Sequence, residues 1–355
     1  MDLKRKASVS GNQNSEQPNL SSNSSLIKRT KIDEEPAKIQ TLTTSVKTSN
    51  VLSKSVKYQV TRSSSLEAPN MLLSGHEGDV FSCKFSPSGE NIASCSMDRS
   101  ILLWKTFKDC KNYGIIKPHN NAILQVLWSQ DGQRIYSASA DKTVAISDAV
   151  TGARIKKFKG HLGIIWDSRK KNSVSSLENG LPVTSVSCSL NGDVLFSGSL
   201  DNTITAWDMR KNTVLYKLVG HTDTITGLDV SPKTGNSLIS SSDDSTLILW
   251  DIRPFCSNPT RISNIFFGAP HSSPGHTLIR PAFSKDESRI ASGGSDRCTT
   301  IWDLNSTKLI YKLPGHKGTV TQVDFHPVEP IILSCSADRT MFLGELDSSA
   351  VIEKA

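Results

Sequence analysis

No stretch of the chain approaches 18 uninterrupted apolar residues, which excludes a membrane-spanning helix. The N-terminal MDLKRKASVSGNQ has no apolar run behind its basic residues, so it does not read as a secretory signal. Cysteine is sparse and scattered: Cys83, Cys95, Cys110, Cys188, Cys256, Cys298 and Cys335, an odd number with no C-x-x-C pair. That argues against a disulfide framework or a zinc site and fits a reducing compartment, with most of these residues as small buried strand positions. No P-loop, G-x-G-x-x-G, H-E-x-x-H or G-x-S-x-G motif is present, so neither a cofactor nor a small-molecule substrate is expected.

Acidic residues are short only in one place. The net charge of +7 resides mainly in residues 1–64, which hold 11 Lys/Arg against 5 Asp/Glu. The remaining 30 basic and 29 acidic residues nearly cancel, which weakens any reading of the body as a broad nucleic-acid surface. Residues 1–64 also contain a single aromatic, Tyr58, and are rich in Ser, Thr, Asn and Lys. Such a segment buries too little apolar area to offset its ordering entropy and is expected to be disordered. Its two basic clusters, Lys4-Arg5-Lys6 and Lys28-Arg29-Thr30-Lys31, are candidate nuclear-targeting signals.

From residue 65 the pattern changes. Short β-branched runs alternate with Gly, Asp, Asn and Ser, and no long segment has a helical period. One unit recurs: Gly-His, an apolar run, a turn, Ser, Asp, then an apolar run ending near Trp. It is clearest at residues 220–251 and returns at 75–105 and 315–345. The Trp-equivalent positions are Trp104, Ser147, Trp166, Trp207, Trp250, Trp302 and Gly344, spaced by 43, 19, 41, 43, 52 and 42. A period of roughly 40–45 residues with Gly-His and Trp-Asp marks is that of a propeller blade with four strands.

Six of the seven units also carry an Asp six residues before the Trp position and a Ser four before that Asp. These are Ser94/Asp98, Ser137/Asp141, Ser197/Asp201, Ser240/Asp244, Ser292/Asp296 and Ser334/Asp338. Gly160 stands at the Asp position of the seventh. His, Ser, Asp and Trp are expected to hydrogen-bond within each blade, each bond contributing about 1 kcal/mol. His76 and His221 belong to complete sets with Trp104 and Trp250; His316, Trp207 and Trp302 belong to partial ones. His119 and His161 take the same turn position, Asn179 replaces a histidine, and His271 and His276 compete for one place. Recurrence of Ser, His and Asp in several blades argues for structure over a hydrolase triad, which would be needed once.

The expected fold is therefore an all-β propeller spanning 65–347, with a C-terminal tail at 348–355. The short spacing of 19 leaves residues 148–180 as a truncated repeat lacking about 24 residues of a full period. The ring then has either six blades with this as a connecting remnant or seven with one badly incomplete, and six complete blades plus a remnant is the reading favoured. The ring is expected to close by pairing Ser65–Ser74 with the last repeat, which lacks an outer strand of its own. The long spacing of 52 places an insertion at 254–277, and Arg253, Phe255, Phe266 and Phe267 are candidate partner-binding residues.

The segments APNMLLSGHEGDVFSCKFSP, ADKTVAISD, WDIRPF and KLIYKLPGHKGTVTQVDFHPVEPIILSCSADRTMFLGEL resemble the family of WD-repeat subunits of the U5 small nuclear ribonucleoprotein. The resemblance implies a seven-bladed, nuclear, non-catalytic spliceosome component acting in pre-mRNA splicing. Its implied partners are the particle's large scaffold protein and other spliceosomal proteins, with RNA contact indirect or peripheral. A competing reading is a substrate receptor of a cullin-type ubiquitin ligase, from the Trp-Asp-x-Arg pattern at Trp166–Arg169, Trp207–Arg210 and Trp250–Arg253.

Overall fold

The computed structural model describes residues 63–160, 164–166, 173–177, 180–256, 258–271 and 278–346. The basic clusters at Lys4–Lys6 and Lys28–Lys31, the C-terminal tail, His161, Asn179 and His276 lie outside the described residues, as does the side chain of Trp166. Among the described residues there is no helix, only strand and turn.

A short strand comes first, β1 (Asn70–Ser74). Blade 1 is β2 (Val80–Phe85), β3 (Asn91–Ser96), β4 (Ile101–Lys105) and β5 (Asn112–Ile116). Blade 2 is β6 (Ile123–Trp128), β7 (Arg134–Ser139), β8 (Thr143–Asp148) and β9 (Arg154–Lys159). A two-stranded hairpin follows, β10 (Ile164–Trp166) with β11 (Ser173–Ser176). Blade 3 is β12 (Val183–Cys188), β13 (Val194–Ser199), β14 (Thr203–Asp208) and β15 (Thr213–Val219). Blade 4 is β16 (Ile225–Val230), β17 (Ser237–Ser242), β18 (Leu247–Asp251) and β19 (Ile262–Phe266). Blade 5 is β20 (Ala282–Phe283), β21 (Arg289–Gly293), β22 (Cys298–Asp303) and β23 (Leu309–Pro314). Blade 6 takes β24 (Val320–Phe325), β25 (Ile331–Ser336) and β26 (Thr340–Glu345) from the end of the chain and β1 from its beginning.

The ring has six blades, and the short repeat survives as the β10–β11 hairpin. Its closure is as expected. β1 runs antiparallel to β26, with Asn70 opposite Gly344 and Ser74 opposite Thr340. The pairing starts at Asn70, so only the second half of Ser65–Ser74 is strand.

The alternation within each strand sets which side chains face the neighbouring blade. Val80, Cys83 and Phe85 of blade 1 pack with Leu333, Cys335 and Leu343 of blade 6. Ile123 and Val126 of blade 2 pack with Ala93, Ile101 and Leu103 of blade 1. Equivalent apolar clusters join blades 3 and 4, 4 and 5, and 5 and 6. Among the described residues no such cluster joins blades 2 and 3, where the missing strands would stand. Val183 is 36% and Val186 50% exposed, while their counterparts Val80, Cys83, Ile123, Val126, Val320 and Val323 are all at 0%. One seam of the ring is therefore open.

Candidate functional site

Each blade is an antiparallel meander, so its turns alternate between two faces. One face carries the Gly-His turns and the turns between second and third strands. The other carries the turns between first and second strands and the loops between third and fourth.

On the Gly-His face the repeat residues meet as expected, but not identically. In blade 1 the Trp104 indole N–H donates to Ser94 Oγ at 2.9 Å, and Ser94 Oγ lies 2.8 Å from His76 Nε2. His76 Nδ1 is 2.8 Å from Asp98. The chain of bonds requires the proton on Nδ1, so that Nε2 accepts from the serine. Blade 4 repeats it with Trp250, Ser240, His221 and Asp244. Blade 2 has His119, Ser137 and Asp141 but Ser147 in place of Trp, and the buried Ser147 hydroxyl has no partner. Blade 3 keeps the Trp207–Ser197 bond at 2.8 Å. Blade 6 keeps His316, Ser334 and Asp338, with the Phe342 ring edge-on to His316 at 4.8 Å.

Blade 5 resolves the ambiguity between His271 and His276. His271 Nε2 lies 3.0 Å from Ser292 Oγ. The Ser292 hydroxyl donates to the Gly293 carbonyl, so the ring N–H sits on Nε2 and Nδ1 is a buried acceptor without a partner. Trp302 does not reach Ser292; its N–H donates to the Phe267 carbonyl at 3.0 Å.

The six Asp residues have a second role that the repeat alone does not announce. In every blade the Asp accepts the backbone N–H two positions on, at 2.8–3.2 Å: Ser100, Thr143, Thr203, Thr246, Cys298 and Thr340. The residue between them is left-handed, with φ of 63–70° at Arg99, Lys142, Asn202, Ser245, Arg297 and Arg339. The carboxylate stabilises a strained turn, which explains why Asp201 serves this role in blade 3 without a described histidine. Burial disfavours the charged form of Asp98, but hydrogen bonds from Ser100 and His76 outweigh it and hold the carboxyl below its ordinary range.

These sets are internal to their blades. Ser94, Ser240 and Ser292 are completely buried, and each hydroxyl is engaged by its own blade, so no substrate can reach them. Charged side chains also link the inner strands of different blades. Arg280 reaches from blade 5 to the carbonyls of Phe81 and Leu124 on the inner strands of blades 1 and 2, at 3.4 and 3.2 Å. Lys84 pairs with Asp324 at 2.7 Å. Burial pulls the Lys84 ammonium down, but Asp324 and Asp229 outweigh it and raise it above the ordinary lysine range. Burial pushes the Asp229 carboxyl up, and Lys84 offsets part of that.

The candidate partner residues separate. Phe266 is buried on β19, 1% exposed, tilted against Trp302 at 6.2 Å between centroids. The two phenylalanines could form an exposed pair or belong in part to an outer strand; the second holds, because Phe266 ends β19 and strand alternation turns it into the blade 4–5 core. Phe267 is exposed on the Gly-His face. Arg253 and Phe255 lie beyond the other end of β19, on the opposite face, so the inserted length is split by the strand. Arg253 is tied to Asp251 by its guanidinium, as Arg210 is to Asp193. Phe255 is 96%, Val150 88% and Val328 82% exposed, the most exposed large apolar side chains described, and all three lie on the face opposite Gly-His. Beside Val328 a groove of about 500 Å³ runs between the turns of blades 4, 5 and 6, lined by Lys233, Lys285, Arg289, Phe325 and Leu346. A second concavity of about 450 Å³ on blade 2 is lined by Lys142, Lys157, Lys159 and Asp141.

Six four-stranded blades, the buried Trp–Ser–His–Asp chains and a ring closed by both chain ends define a WD-repeat propeller. The profile described as WD domain, G-beta repeat matches residues 68–105, 110–148, 171–208, 212–251, 271–303 and 307–343, six repeats for six blades. The chain is 37% identical to the pre-mRNA-splicing factor cwf17 of Schizosaccharomyces pombe, over 81% of this chain and 90% of that protein. It is 41% identical to the U5 small nuclear ribonucleoprotein 40 kDa protein of Dictyostelium discoideum and 41% to that of Homo sapiens, each over 80% of this chain and 86% of the relative. The chain belongs to the WD40 family and, within it, to the family of the U5 small nuclear ribonucleoprotein 40 kDa protein.

Proposed function

We propose that this chain is a non-catalytic protein–protein scaffold of a U5-type ribonucleoprotein, acting in the nucleus in pre-mRNA splicing. The observation that carries the reading is the similarity to splicing proteins along four-fifths of the chain. The buried, internally bonded serines support a role without catalysis. The partner is the large scaffold protein of the particle, and RNA contact is indirect or peripheral. Residues 65–347 are the scaffold, residues 1–64 a tail whose basic clusters direct nuclear import, and residues 348–355 a second tail.

The docking face is the one opposite Gly-His. Phe255, Val150 and Val328 offer it apolar anchors, and an exposed aromatic above a rigid blade is suited to a central interface contact. Phe267, on the other face, is the comparison residue.

Affinity purification of the tagged chain from nuclear extract with mass spectrometry tests this. U5 proteins are expected in the wild-type eluate. The double variant Phe255→Ala, Val328→Ser should keep its melting temperature and lose them, while Phe267→Ala should retain them. Recovery of a cullin adaptor without splicing factors would overturn the reading.

A further inference from the structure

The residues leading into β1 are held by two carboxylates of blade 6. Glu345 Oε1 accepts the Ser63 and Ser64 backbone N–H groups and the Ser63 hydroxyl, the last two at 2.8 Å. Glu329 holds Ser65 twice: its Oε2 accepts the backbone N–H and its Oε1 the hydroxyl, both at 2.8 Å. The next residue, Leu66, is 5% exposed and belongs to the apolar cluster that contains Leu73 and Leu343. Residues 63–66 are thus a strap that extends the ring closure beyond β1.

A carboxylate holds a serine hydroxyl only while that hydroxyl is a donor. Ser65 is exposed, and Arg62 stands three positions before it in the sequence. A serine three residues after arginine suits kinases whose peptide groove presents acidic side chains. We propose that Ser65 is a phosphoacceptor and that its modification releases the strap from blade 6. The donor is a nucleoside triphosphate bound by such a kinase. The Ser65 oxygen forms a bond to the γ-phosphorus, the bond from that phosphorus to the β–γ bridging oxygen breaks, the diphosphate leaves and the hydroxyl proton passes to the kinase's base.

The product reverses the local chemistry. The Ser65 oxygen changes from donor to acceptor, and a charge of about −1.5 to −2 is placed beside the Glu329 carboxylate. Because Leu66 is buried, the kinase engages the transiently opened strap, and the phosphate then prevents its return. This inference does not depend on the splicing role.

The test uses the full chain, a basophilic serine kinase and Mg-ATP, with phosphate mapped by mass spectrometry. Phosphate is expected at Ser65, with Ser65→Ala as the unmodifiable control. The modified chain should melt about 3 °C or more lower. Amide exchange should rise several-fold in residues 63–74 and 340–346. In Glu329→Gln the phosphate should lower the melting temperature less. Absence of phosphate at Ser65 overturns the proposal. So does an unchanged or higher melting temperature, the result if Lys285 or Arg289 in the adjoining groove captured the phosphate. An equal fall in Glu329→Gln overturns the repulsion on which it rests.

Discussion

Asp296 is paired with Lys312 at 2.7 Å, and His271, the histidine of the same blade, is left with a bare Nδ1. In blades 1, 2, 4 and 6 the equivalent carboxylate meets its histidine. Burial without that partner lowers the His271 pKa from 6.5 to about 4. The folded state therefore keeps His271 neutral while the unfolded chain takes up a proton below pH 6.5. Stability from this group is full above pH 6.5 and is lost as pH falls towards 4, a loss of about 3 kcal/mol. Burial also lowers His76, His119 and His316, against the pull of Asp98, Asp141 and Asp338, and they add losses of the same sign. Urea midpoints from pH 7 to 4.5 should fall, and fall less steeply in His271→Gln. Nitrogen chemical shifts should place the proton on Nε2 in His271 and on Nδ1 in His76.

The two versions of the blade bond chain predict opposite outcomes at serine. Ser240→Ala removes the common partner of His221 and Trp250, leaving two buried polar groups orphaned. A loss of about 2–4 kcal/mol is expected. Ser147→Ala removes a buried hydroxyl that bonds to nothing and should stabilise by about 1 kcal/mol. Chemical denaturation of both variants beside wild type decides it.

The open seam makes one position tolerant. Val126, Val186 and Val323 occupy the same place on the inner strands of blades 2, 3 and 6, but Val186 is 50% exposed and the others 0%. Val126→Asp and Val323→Asp bury an unpaired charge and should prevent stable folding. Val186→Asp should change stability by no more than about 0.5 kcal/mol. Soluble yield and thermal melts measure the contrast. Unfolding of Val186→Asp would mean that the seam is covered in solution.

The repeat made much of this architecture legible. Ser and Asp at fixed offsets located the second and third strands of all six blades, and the missing pair at the Trp166 unit foretold the β10–β11 remnant. The Gly-His run alone did not decide between His271 and His276, because that choice depends on which ring reaches Ser292. The seam between blades 2 and 3 was likewise hidden, since a deletion in one repeat shows in the sequence while the uncovered Val183 and Val186 of the next do not. Phe266 and Phe267 were adjacent letters of equal character. Only the register of β19, with Phe266 opposite Leu247, assigns one to the core and the other to the surface. The Arg280 strut had no signal at all, because its acceptors are backbone carbonyls nearly 200 and 160 positions away.

Closure by β1 predicts that a distant segment controls the stability of the whole ring. Leu73 faces Met341 across the β1–β26 pair and is 3% exposed, packed in the same cluster as Val80 and Leu333. Leu73→Ala should cost about 2–4 kcal/mol through lost burial and the cavity left behind. Deleting residues 65–74 removes that side chain, Leu66 and every ladder bond between β1 and β26. It also exposes β26 as an unpaired edge, a template for association. The deleted chain should melt far below Leu73→Ala and aggregate on heating, while an exposed substitution on the same strand, Leu72→Ser at 56% exposure, should change little. Calorimetry of the three variants separates the contributions. An unchanged melting temperature on deletion would show that the ring is held by its five apolar seams without the strand that joins its ends.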